Sequence, residues 1–190
     1  MNDRPQLWIV RHAAPQVAPG TCYGALDLPA DPQATLAAAQ ALAQALPSTA
    51  RIWHSPLSRC EQLALDLIGL RPDLASNSDP RLRELDFGHW EGQTWDAIGQ
   101  PAIDAWVDDF AHHRPGGGEA LTDMLTRVQD ALDAARAWVR QEHQDVVWIS
   151  HAGVARCVSW LNGPQGQRLP QSAEWPAAAP AWGGWEKHPL

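Results

Sequence analysis

Two short apolar runs, Leu7-Trp8-Ile9-Val10 and Val146-Val147-Trp148-Ile149, do most to limit what this chain can fold into. Neither alternates with polar residues, which is the pattern of a strand buried on both faces rather than one with a wet side. Both runs stop at a histidine: Trp8-Ile9-Val10-Arg11-His12-Ala13 is echoed by Trp148-Ile149-Ser150-His151-Ala152. Strands covered on both faces require helices on both sides, and the intervening segments supply them. Residues 33–46 are rich in Ala, Leu and Gln and stop at Pro47. Leu121, Leu125, Val128, Leu132, Ala135 and Val139 recur at helical spacing, as do Val154, Cys157, Val158 and Leu161 before Asn162-Gly163. The expected fold class is α/β, a three-layer α/β/α sandwich with a mostly parallel sheet. Open sheets of this kind hold ligands beyond the carboxyl ends of their strands, where His12 and His151 fall.

Between these runs, Arg51 to His54 is a second strand, with Ser55 as N-cap and Pro56 at the first position of a helix reaching Gly69. Residues 71–93 are loop with a short strand near 81–85. Thr94 to Phe110 is helical with a break at Pro101. Gly116-Gly117-Gly118 is a turn, and the Pro/Trp-rich segment 164–190 need not be regular. A length of 190 residues suits one domain, 1–190, with a core large enough to need no disulfide or metal staple.

Composition removes several function classes. Net charge is −8, from 14 basic and 22 acidic residues, a balance that repels nucleic acid and anionic lipid. No apolar run approaches the roughly 20 residues of a membrane span, and Met-Asn-Asp-Arg-Pro-Gln lacks the pattern of a signal peptide. Cys22, Cys60 and Cys157 are too scattered for a disulfide framework or a zinc knuckle, which suits a reduced cytoplasmic compartment. His54 and His112-His113 lack acidic partners at chelating spacing and read as solvated histidines. Of the 11 tryptophans, Trp8, Trp53 and Trp148 sit in apolar runs and read as core, whereas Trp90, Trp95 and Trp106 lie in a polar stretch that can wall a pocket.

Metal-free phosphoryl transfer needs a nucleophile, cations around the equatorial oxygens and an acid for the leaving oxygen. Neutral imidazole is nucleophilic near pH 7, and arginine presents a permanently charged fork that matches phosphate oxygens. The chain offers Arg11 and His12 at one strand end, His151 at another, Arg59 in a first helical turn where amides already favour anions, and Glu84 in a loop. Taken singly, each has a plainer reading: structural histidines, Arg59 paired with Glu61 or Asp66, Glu84 paired with Arg81 or Arg83.

Taken together, they resemble the histidine phosphatase superfamily, also called phosphoglycerate mutase-like. The matching motifs are Val10-Arg11-His12-Ala13, Ser55-Pro56-Leu57-Ser58-Arg59-Cys60, Glu84 to Gly92, Gly117-Gly118-Glu119 and Ser150-His151-Ala152-Gly153, in the family's order, across residues 7 to about 162. The resemblance implies a phosphohistidine on His12, with Arg11, Arg59 and His151 holding the phosphoryl group and Glu84 as proton donor. It implies no cofactor and no metal. The substrate expected is a small phosphomonoester, with no nucleic acid or membrane partner; a homodimer is left open. The loop Gly20 to Pro29 is similar to α-ribazole phosphatase-like members, so Cys22, Tyr23, Gly24 and Trp90 are read as substrate-pocket residues. Two departures stand out. Ala13 replaces the family's usual glycine, and residues 14–19 lack the Glu-Ser/Thr and asparagine of the mutases. The second departure, with the shortness of the chain, favours hydrolysis over mutase-type phosphoryl transfer. The other alternative is a phospho-ligand binding module with a dead site, and none of the residues whose loss it would need is missing.

Overall fold

The computed structural model describes residues 5–190. Five strands form one sheet in the order β3-β2-β4-β1-β5, with β1 at Gln6–Arg11, β2 at Ala50–His54, β3 at Ser76–Ser78, β4 at Asp145–Ser150 and β5 at Trp185–Pro189. The β1–β4, β2–β4 and β2–β3 pairings are parallel, and β5 runs antiparallel along β1.

The two apolar runs are central because every second residue faces the opposite helix layer. Leu7, Ile9, Val146 and Trp148 pack with Leu121, Val128, Leu132, Val154 and Val158, which belong to two of the helices. Trp8, Val10, Ile52, Val147 and Ile149 pack on the other face with Ala39, Leu42, Leu63 and Leu67. Helices α1 (Pro32–Ala45) and α2 (Ser58–Leu70) therefore cover one side of the sheet. The other side is covered by α5 (Leu121–Glu142) and α6 (Ala152–Asn162), while the short α3 (Trp95–Ile98) and α4 (Gln100–Asp108) lie between α2 and α5 in sequence.

Three local expectations change, and one point left open is answered. Ser55 does not cap α2: the N-cap is Leu57 with no side-chain bond, because the Ser55 hydroxyl is engaged with His151. Residues 81–85 are not a strand. The chain makes a 3₁₀ turn at Pro80–Leu82, held by the Asp79 carboxylate accepting from the Arg81 amide, and the third parallel strand is Ser76–Ser78. The break in residues 94–110 falls at Gly99, whose φ of +85° suits glycine, and Pro101 opens the second helix. Finally, the end of the Pro/Trp-rich segment is regular: β5 covers the edge of β1 that would otherwise stay unpaired.

Close backbone contact fixes the loop that carries Glu84. A Cβ on Gly88 would stand 2.1 Å from the Gly116 carbonyl oxygen, and one on Gly116 would stand 2.0 Å from that of Phe87. Only glycine at both positions lets residues 86–90 and 115–118 lie against each other.

Candidate active site

Arg11 is paired with Ser150 in the β1–β4 ladder, so His12 and His151 leave adjacent parallel strands at the same level. The His12 amide still donates to the Ser150 carbonyl at 3.1 Å. Neighbouring strands are about 4.8 Å apart, and the two imidazoles accordingly lie 5.1 Å apart between centroids, edge to face. Both are buried.

The hydrogen bonds of His12 identify its tautomer. Nδ1 lies 2.7 Å from the Ala13 carbonyl oxygen, which can only accept, so Nδ1 carries the hydrogen. Nε2 is left with its lone pair, toward which the Arg59 Nε–H points at 3.3 Å. Burial first, then the neighbouring Arg59, lowers the His12 pKa to about 3. The unprotonated form therefore persists across the physiological range. A titration of His12 followed by imidazole nitrogen NMR is expected to show the neutral Nδ1–H tautomer from pH 8 to below pH 5; a midpoint near 6.5 would contradict the geometry. The same shift affects stability: an unfolded histidine binds protons below its ordinary 6.5 and the folded one does not until about 3, so His12 destabilises the fold progressively as pH falls through that window.

Arg59, in the first turn of α2, is completely buried. Its Nη1 donates to the Leu26 carbonyl at 2.9 Å and its Nη2 to that of Gly24 at 2.6 Å, while its guanidinium lies over the Tyr23 ring at 5.5 Å. It bonds neither Glu61 nor Asp66; it ties the 23–26 loop to the imidazole. His151 is likewise driven well below the usual histidine range, by burial and then by Arg59. Its Nε2 is 2.8 Å from the Ser55 hydroxyl, which already accepts from the Leu57 amide at 3.4 Å. If that hydroxyl donates to Nε2, the ring hydrogen sits on Nδ1. Arg11 donates from Nη1 to the Pro180 carbonyl at 3.1 Å and lies 5.3 Å from the Trp182 ring, so the C-terminal Pro/Trp-rich segment braces a site arginine. Burial lowers its pKa.

Glu84 bonds neither Arg81 nor Arg83. One carboxylate oxygen accepts from the Gly153 amide at the start of α6, the other from the Leu85 amide, each at 3.0 Å. Arg127 of α5, which the sequence did not single out, holds the segment from behind: Nη1 donates to the Arg81 and Arg83 carbonyls at 2.7 Å and Nη2 to the Glu84 carbonyl at 3.3 Å, while its guanidinium is ion-paired with Glu119. A Cβ on Gly153 would stand 2.0 Å from the nearer Glu84 carboxylate oxygen. Since that oxygen ends a flexible side chain, Gly153→Ala is expected to cost less than about 1 kcal/mol of stability yet displace the carboxylate. The expected readout is an unchanged melting curve with kcat lowered about tenfold or more.

A cavity of about 320 Å³ opens over this cluster, lined by Arg11, His12, Tyr23 and Glu84 at its polar end. Phe87, Trp95, Trp106, Phe110 and Trp175 form the aromatic wall, with Trp95 and Trp106 nearly parallel at 9°. Tyr23 lines the space. Trp90 does not: it is buried behind Trp106 at 6.1 Å. Cys22 is also fully buried, its pKa raised to about 12 by burial, and Gly24 contributes through its carbonyl alone. Trp175 and Arg156, which also line the cavity, carried no signal in the sequence that pointed to it. Among the described residues there is no group of three or more His, Cys, Asp or Glu arranged to hold a metal, and no helix long and apolar enough to cross a membrane.

Comparison with known proteins places this geometry among relatives. Residues 7–175 match the family described as the histidine phosphatase superfamily, branch 1. A glucosyl-3-phosphoglycerate phosphatase of Mycobacterium tuberculosis is 33% identical over 133 residues, 65% of this chain. The match spans only 58% of that relative's length. A mycobacterial glucosyl-3-phosphoglycerate phosphatase solved with VO3 superposes with a TM-score of 0.75 at 27% identity, covering 96% of this chain and 92% of its own. A protein from Thermus thermophilus gives 0.62 at 30% identity, over 80% of this chain and 82% of its own.

Proposed function

This chain belongs to the histidine phosphatase superfamily, branch 1, and we propose that it hydrolyses a small phosphomonoester through a phosphohistidine on His12. The observation that carries the reading is the unprotonated Nε2 of His12, fixed by the Nδ1–H···O=C bond to Ala13 and facing the buried Arg59 guanidinium. In the first displacement Nε2 attacks phosphorus, the bond from phosphorus to the alcohol oxygen breaks, and Glu84 gives its proton to that oxygen. In the second, water attacks phospho-His12, its proton passes to Glu84, and the electron pair of the N–P bond returns to Nε2 as phosphate departs. Arg11 and Arg59 neutralise the equatorial oxygens through both steps, and the neutral His151 offers them a hydrogen bond. His151 acts as a donor and not as a second nucleophile, since its Nε2 is taken by Ser55.

For the substrate itself, the relatives' name supports glucosyl-3-phosphoglycerate. Resemblance of the 20–29 loop supports α-ribazole 5'-phosphate. Both couple a phosphoryl group to a ring that the aromatic wall can cover. In the cell we place the enzyme in the reduced cytoplasm, where its three free thiols persist.

Assay of both substrates beside p-nitrophenyl phosphate, with and without a chelator, tests the reading. Phosphate release that survives the chelator and is inhibited by vanadate is expected. Two results overturn it: bisphosphate-primed phosphoglycerate isomerisation in place of release, or a stable phosphohistidine that never turns over.

A further inference from the structure

Three guanidinium groups serve the cavity, those of Arg11 and Arg156 directly and that of Arg59 beneath His12. None of the three is in an ion pair among the described residues, although this chain carries eight more acidic than basic groups. Arg71, Arg81, Arg114, Arg127, Arg136 and Arg168 all have a carboxylate partner, while Arg51, Arg83 and Arg140, which lack one among the described residues, lie outside the cavity lining. Arg11 and Arg59 are accounted for by the phosphoryl group. Arg156 is not.

Arg156 lies on α6 three and four residues beyond Gly153 and Ala152, which also line the cavity, so all three share one helix face. The rise of 1.5 Å per residue puts its backbone about 5 Å further along the wall. Among the described residues its one side-chain hydrogen bond is long, 3.4 Å from Nη2 to the Ala177 carbonyl, and its Nε is buried without a partner. Two further cavity residues carry buried, unpartnered donors, the Arg11 Nε and the Trp106 indole nitrogen. The other unpartnered donors among the described residues, on Arg51 and Trp138, belong to a separate cation–π stack. Buried donors without acceptors cost stability, and a cavity that collects them is suited to a ligand rich in acceptors.

Resting on the phosphatase reading above, we infer that Arg156 is a specificity-determining residue that binds a carboxylate on the leaving alcohol, one helical turn from the phosphoryl site. A single guanidinium fork matches a monoanionic carboxylate in charge and geometry. The ring or chain between the two anionic ends lies against Trp95, Trp106 and Trp175.

The test compares phenyl phosphate with 3-carboxyphenyl phosphate, which share a phosphoryl group and an aryl body and differ in the carboxylate. Wild-type protein is expected to prefer the carboxylated ester at least about tenfold in kcat/KM, through KM, because binding at this distance is alike in ground and transition states. Arg156→Gln is expected to reduce that preference by about 10–100-fold, and Arg156→Lys to restore part of it. A wild-type preference that is absent, or that survives in Arg156→Gln, overturns the assignment; so does an equal loss for both esters, which would make Arg156 structural. Should Arg156→Gln fail to fold, the wild-type preference and Arg156→Lys decide. A wild type that hydrolyses neither ester overturns the phosphatase reading itself, whereas equal hydrolysis of both overturns only the role of Arg156.

Discussion

His12→Ala is expected to lower turnover of p-nitrophenyl phosphate by about 10⁴-fold or more, while the protein stays folded. The size reflects the covalent route: without Nε2 no unprotonated nitrogen lines the cavity, since His151 lies outside the lining with its Nε2 on Ser55 and the arginines cannot lose their charge. The fold persists because the imidazole contributes little that the sheet requires. The His12 amide bond to Ser150 and the β1–β4 ladder remain, and the loss is that of the contacts with Arg59 and Ala13 and of the edge-to-face packing on His151. Leaving the Arg59 Nε without its acceptor costs about 1–3 kcal/mol. A circular dichroism melt alongside the assay separates loss of chemistry from loss of structure. Wild-type-like hydrolysis by the variant would remove His12 from the mechanism.

Glu84→Gln is expected to produce the next largest effect, and one that depends on the leaving group. Glutamine keeps the shape and retains an acceptor for the Gly153 amide at the expense of the Leu85 amide bond, and Arg127 still holds the Arg81, Arg83 and Glu84 carbonyls, so the loop should hold. It lacks a proton to give. For an alkyl phosphate, whose departing alkoxide needs protonation, kcat/KM should fall about 10²–10⁴-fold. For p-nitrophenyl phosphate, whose departing phenolate is stable, kcat/KM should fall far less. The second displacement would then limit turnover, since water has lost its base, and p-nitrophenol should appear in a burst while phosphoenzyme accumulates. Equal losses on both substrates, with no burst, would place the proton donor elsewhere and leave Glu84 as a brace for α6.

Much of this cluster is legible in the sequence, for a physical reason. A buried parallel strand announces itself as an unbroken apolar run, and the residues just past its carboxyl end lie where an open sheet binds ligands. Arg11, His12 and His151 are therefore located by Trp8-Ile9-Val10 and Trp148-Ile149. Arg59 is located by its place in a first helical turn. The wall opposite is not legible. Trp95, Trp106 and Trp175 meet only because two short helices and a loop from the far end of the chain pack together, and no local periodicity encodes that. Trp90, equally aromatic and nearby in sequence, is buried and does not line the cavity. Arg156 sits at helical spacing among Val154, Cys157 and Val158 and looks like a boundary residue until its missing partner is seen. Strand β5 gives no signal because Trp185-Glu186-Lys187-His188-Pro189 has no apolar run; as an edge strand with one neighbour it needs none. Ser55-Pro56 misleads for a related reason: the hydroxyl that suits a helix cap is claimed by a more distant imidazole.

Rapid quenching of the reaction with a ³²P-labelled phosphomonoester, together with mapping of the labelled residue, tests the central claim most directly. The account predicts an acid-labile, base-stable label on His12, attached at Nε2, which forms and decays at rates that accommodate turnover. Label on any other residue, or steady release of phosphate with no labelled enzyme at any time point, would contradict it.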